Sequence, residues 1–173
     1  MKHNIFAIAI AAATTFSMSS AFAESGTINF TGEVISEGCD VVGSAQGPVS
    51  VDLGKISTKD LNGVGQKTTP KEFTIALTNC PTDLTASVRF DGEKDATDSN
   101  LLALSGTDAA EGVAIALMNA DMTPLGLNQD STETSLNADG NAELKFYAQY
   151  QATSSEIKSG PANSVANFTV AYK

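Results

Sequence analysis

Apolar and polar residues alternate in short runs along most of this chain. Between residues 27 and 34, Ile28, Phe30 and Val34 fall on one parity, with Gly32 in the same register. Residues 49–53 and 73–77 alternate in the same way, and the second run leads into Cys80. Residues 86–90, 113–118, 142–150 and 167–172 complete the set. A two-residue period over a short run marks a strand with one buried face. Residues 109–118 also accommodate a helical turn. Turn chemistry punctuates the runs. Asp139-Gly140 predicts a hairpin ahead of the strand at 142. Asp91-Gly92 follows the run at 86–90, Asn62-Gly63, Gly65 and Pro70 mark a loop, and Asn79-Cys80-Pro81 closes another strand. Seven or more short strands so separated predict an all-β sandwich. No internal repeat or low-complexity tract interrupts it.

The first residues break this pattern. Lys2 precedes an apolar stretch at 5–13, then Ser17, Ser19, Ser20 and Ala21-Phe22-Ala23. That order predicts a secretory signal peptide over 1–23, cleaved after Ala23. The apolar stretch is shorter than the roughly 20 residues a membrane-spanning helix needs. Removing 23 of the 173 residues leaves 150, enough for one domain with a core. Without Lys2, 9 basic residues face 20 acidic ones, a formal charge of −11. Phosphate backbones would repel such a chain, which argues against nucleic acid.

Cys39 and Cys80 both lie in the exported part, and one disulfide is their simplest use in an oxidising compartment. Two thiols are too few to hold a metal, and His3 leaves with the signal, so neither metal nor cofactor is expected. The loss of His3 also excludes a Ser-His dyad, and the chain reads as no enzyme. Asp91, Glu93, Asp95 and Asp98 cluster at a turn without a calcium-loop pattern and read as a solvated loop.

Both ends of the exported chain fit a self-contained sandwich poorly. The strand at 27–34 has nothing ahead of it to turn it back onto its own domain. In the last strand Phe168, Val170 and Tyr172 share a parity, and only Lys173 follows. A bare apolar edge invites pairing with another chain. Strand addition between molecules would satisfy both ends.

Here the residues resemble a known family. The run from Gly26 to Ile35 followed by Cys39, the motif Val51-Asp52-Leu53-Gly54, and Phe73-Thr74-Ile75-Ala76-Leu77-Thr78-Asn79-Cys80 resemble subunits of chaperone–usher fimbriae of the type 1 and Pap-like group. Gly160, fourteenth from the end, and the penultimate Tyr172 match that family's C-terminal pattern. The resemblance implies an incomplete immunoglobulin-like sandwich, residues 36–173, completed by a donor strand from a chaperone or a neighbouring subunit. It makes 24–35 the donor extension, with Ile28, Phe30, Gly32 and Val34 facing the partner. It assigns Gly160, Phe168, Val170 and Tyr172 to the acceptor groove and to chaperone recognition. The implied function is that of a major structural fimbrial subunit, too short for a two-domain tip adhesin, exported through the periplasm to the surface of a Gram-negative cell and supporting adhesion. The implied partners are a periplasmic chaperone, an outer-membrane usher, and identical or related subunits, with no membrane insertion. A minor adaptor subunit shares all these features. A secreted carbohydrate-binding module is the rival class, disfavoured because the chain has no Trp and few aromatic residues for stacking on sugars.

Overall fold

A computed structural model describes residues 27, 29–32, 38–42, 49–81, 84–137 and 139–173. The expected signal peptide, Ile28 and Val34 lie outside these residues. The chain divides into two units, residues 1–34 and 35–173. In the first, Thr27 and residues 29–32 are exposed and in no strand, and Phe30 is 91% exposed. An alternating run forms a strand only where a neighbouring backbone accepts its hydrogen bonds.

The second unit is a two-sheet antiparallel sandwich. Its strands are β1 (Asp40–Val42), β2 (Lys71–Thr78), β3 (Thr85–Gly92), β4 (Val113–Met118), β5 (Pro124–Leu125), β6 (Thr134–Ser135), β7 (Ala142–Ala152) and β8 (Ala166–Tyr172). One sheet has the order β1-β2-β7-β4-β5 and the other β6-β3-β8. A 3-10 turn, Thr58–Asp60, is capped by Ser57, whose side chain accepts from the Lys59 N–H.

The inward parity of each strand builds one core. Ile75 and Leu77 of β2 face inward beside Leu144 and Ala142 of β7, their register partners. On the opposing sheet Ala86, Val88 and Phe90 of β3 point inward. Phe90 crosses Phe146 edge to face at 5.1 Å, and Phe73 lies 6.0 Å from Phe90, tying the two sheets together. Strand β4 is buried at all six positions. Val113, Ile115 and Leu117 join the main core, while Ala114 and Ala116 meet Leu101 on the other face. Cover on both faces erases alternation, so the helical alternative for 109–118 gives way to a strand at 113–118.

Two expectations about local structure are corrected. Residues 49–53 form no strand. Val51 and Leu53 are half-buried against the core, but among the described residues no strand pairs with this segment. Its alternation records burial without ladder bonds. At its end Gly54 adopts φ +74°, and its N–H donates to Asp52 Oδ1 at 2.8 Å. Asp139-Gly140 makes a turn, with the Gly140 N–H donating to the Asn137 carbonyl and φ +69°. The strands it separates, β6 and β7, lie in different sheets, so it is a crossover between layers and not a hairpin.

A groove beside an edge strand

Strand β8 pairs with β3 on one side only, and among the described residues no strand covers its other edge. The register sets Phe168 opposite Phe90, Val170 opposite Val88 and Tyr172 opposite Ala86. Along β8 half-buried and exposed residues alternate strictly, with Phe168, Val170 and Tyr172 on the inward parity. They stay half-buried while their β3 partners are buried, as expected at the margin of an incompletely covered core.

A groove of about 510 Å³ opens beside this strand. One rim is formed by residues 49–54 and the other by 162–166, leading into Phe168. The floor is apolar and comes from both sheets: Phe73 and Ile75 of β2, Phe90 of β3, Ile115 of β4 and Tyr150 of β7. The Tyr150 hydroxyl is the polar exception, and it donates to the Ala162 carbonyl at 2.8 Å. Burial, reinforced by the Asp52 charge, pushes this phenol above the ordinary tyrosine range, so it stays a neutral donor.

The residues expected at the acceptor site are placed as follows. Phe168 lines the groove; Val170 and Tyr172 lie further along β8, outside the lining. The Tyr172 ring sits over Gly38, where a Cβ would stand 3.3 Å from its Cε2. Burial raises its phenol above the usual range, a bond with the Cys39 backbone opposes that, and the Asp40 charge adds to it. Tyr172 therefore closes the end of the core next to the bond joining Cys39 and Cys80. That disulfide ties β1 to the end of β2 and is the pairing expected from the cysteine count.

Gly160 lies outside the groove lining, six residues ahead of β8. A Cβ there would stand 2.7 Å from the Ala110 nitrogen and closer still to the Asp108 carbonyl oxygen. The Ala110 N–H donates to the Pro161 carbonyl at 2.9 Å, so two backbones cross where only glycine fits. Of the acidic turn residues, Asp95 accepts from the Thr97 and Asp98 N–H groups, and Asp98 from that of Asn100. These carboxylates shape their own loop.

Sequence reasoning did not find the groove floor. Its residues come from strands up to 77 positions apart, from Phe73 to Tyr150. Each is on the inward parity of its own run, but no local signal says that they share one gap.

Comparison with solved structures defines the class. The P pilus rod subunit PapA covers 79% of this chain and 100% of its own, with TM-score 0.66 at 22% identity, a likeness of fold alone. A type I fimbria protein and antigen of Burkholderia pseudomallei is 34% identical, with TM-score 0.61 over 84% of this chain and 97% of its own. The sandwich is thus the immunoglobulin-like domain of a pilus subunit. The family model for fimbrial proteins matches residues 28–173. Fimbrial-like protein FimF of Salmonella typhimurium is 37% identical over 84% of this chain and 83% of its own. The type-1 fimbrial protein subunit of Serratia marcescens is 34% identical over 90% and 91%. The chain belongs to the fimbrial protein family and is a structural subunit of a Gram-negative surface fimbria. Subunits of such pili polymerise with related subunits, and the family is one of structural proteins and not an enzyme class.

Proposed function

We propose that this subunit polymerises by donor-strand exchange, the groove beside β8 taking residues 24–35 of a second copy. The observation that carries this reading is the pairing of an unpartnered edge strand with an apolar groove at its side. A guest strand there would bond to the free edge of β8 and lay alternate side chains on the floor. The segment 24–35 has the matching pattern: Phe30 is exposed in its own chain, and Ile28 and Val34 share its parity. Each buried side chain would contribute about 1.5–3 kcal/mol before ordering costs. Gly32, on the same parity, would allow a close approach of backbones in the complex.

In this reading residues 1–23 are removed on export, 24–35 is the donor and 36–173 the acceptor domain. A periplasmic chaperone fills the groove first, and the next subunit replaces it at an outer-membrane usher. Exchange of one strand pairing for another needs no nucleotide, and the protein carries out no catalysis.

The direct test is peptide capture. Oxidised mature chain, refolded without other proteins, is mixed with an excess of labelled peptide of residues 24–35. A stable complex is expected, and none with the Phe30→Asp peptide, since burying an unpaired carboxylate is costly. Equal capture of both peptides, or of neither, rejects the reading. The chaperone step has its own test. Tyr172→Ala empties the seat over Gly38 and frees the end of β8. The variant should accumulate poorly in the periplasm and co-purify with little chaperone; recovery equal to the wild type would rule out a part for Tyr172 in capture.

A further inference from the structure

We propose that the Tyr150 hydroxyl is a strut that holds the groove open before a strand arrives, making Tyr150 a positioning residue for strand uptake. The inference rests on the reading of the groove as the acceptor site. Tyr150 stands on the floor, in β7, and is 5% exposed. Its hydroxyl reaches across to the opposite rim and donates to the Ala162 carbonyl.

From within, that rim is otherwise held by apolar contact, Ala162 packing against the core. Residues 162–165 precede β8, and they present Ala162, Asn163, Ser164 and the 76% exposed Val165. Their other hydrogen bonds run to the loop at 103–105. The Ser105 N–H donates to the Asn163 carbonyl at 2.8 Å, and the Ser164 hydroxyl donates to the Ala103 carbonyl at 2.5 Å. Hydrogen bonds thus tie the rim to the loop at 103–105 and, on the floor, to one phenol.

An empty apolar gap is unfavourable in water, and the rim could shed that surface by settling onto Phe90 and Phe168. A hydrogen bond from a rigid ring fixes the rim at one height and opposes this collapse. A strand entering a groove already at its working width pays less to order it, so association gains most from the strut. A tyrosine hydroxyl is protonated at physiological pH in any case, and burial with the Asp52 charge moves its titration further away.

The experiment compares wild type with Tyr150→Phe, which keeps the ring and removes only the hydroxyl. Association and dissociation rates of the labelled 24–35 peptide are measured on both, with hydrogen exchange on the peptide-free chains. The variant should associate about three- to tenfold more slowly, the size expected for one neutral hydrogen bond, with a smaller change in dissociation. Exchange should quicken at Ser105 and stay unchanged in β2 and β7. Ser164→Ala, which removes another tie of the same rim, should also slow association, and it tests the tied rim independently if Tyr150→Phe folds badly. Unchanged association in both variants overturns the proposal. So does loss of protection throughout β7, which would make Tyr150 a general core residue. Failure of the wild type to capture the peptide at all rejects the acceptor reading itself, a distinct result, and the strut with it.

Discussion

A chain lacking residues 24–32 is expected to fold and bind chaperone but to stay out of its neighbour's groove, so that filament growth stops. The deletion spares the sandwich, whose described core begins at Cys39 and Val41. It removes Ile28 and Phe30, two of the three large apolar side chains on the donor parity. At about 1.5–3 kcal/mol for each buried group, their loss takes several kcal/mol from an exchange that is a contest between two strands. With every 1.4 kcal/mol worth tenfold, polymer formation should fall by more than a hundredfold. Size-exclusion chromatography of periplasmic extracts should show a chaperone-bound monomer, and electron microscopy should show bare cells. Wild-type filaments from the deleted subunit alone would remove donor-strand exchange from consideration. This phenotype differs from that of Tyr172→Ala, which acts at chaperone capture, before polymerisation; the contrast gives the order of events.

Replacing Cys39 and Cys80 together by Ala should cost about 4 kcal/mol of stability. The bond closes a loop of 42 residues, counting both cysteines at a sequence separation of 41, and the chain-entropy account gives that magnitude. Domains of this size have net stabilities of about 5–15 kcal/mol, so the loss is a large share of the total. Urea unfolding should show the midpoint move strongly, and the melting temperature should fall by roughly 10 °C. The damage has a predictable location. β1 is only three residues long and lies at the edge of its sheet, paired with β2 from Asp40 opposite Thr78 to Val42 opposite Ala76. Hydrogen exchange should rise first at 38–42, and Tyr172, resting on Gly38, should lose its seat. A change below about 1 kcal/mol would mean that packing alone holds β1 in place.

How much of this was legible in the residues depends on what each pattern physically reports. β2, β3, β7 and β8 were readable because each has one buried face, which alternation encodes directly. Residues 49–53 alternate just as well, yet they form a rim and no strand. Alternation reports which side is dry and says nothing of where backbone bonds go. β4 shows the opposite case: buried on both faces, it loses the period and resembles a helix segment. The cysteine pair was readable from compartment and number. The groove was not, because it is a gap between layers, and its width depends on registers such as Phe90 against Phe168. The role of Gly160 was also hidden. Its place in the chain was noted, but only the crossing of two backbones explains why a side chain cannot stand there.

The pairing of β8 with β3 has a consequence for the time course of folding. Val170 lies opposite Val88, 82 residues earlier, and Leu144 lies opposite Ile75, 69 residues earlier. Contacts so distant in sequence are slow to form, because a long loop must close before any bond rewards it. A chain emerging N-terminus first has β3 ready long before β8 arrives. Throughout that interval the smaller sheet lacks a strand on the side where the groove will later lie. The nascent subunit thus spends its first moments with an even wider apolar gap than the finished one, and whatever shelters it must be present before the last seven strand residues have appeared.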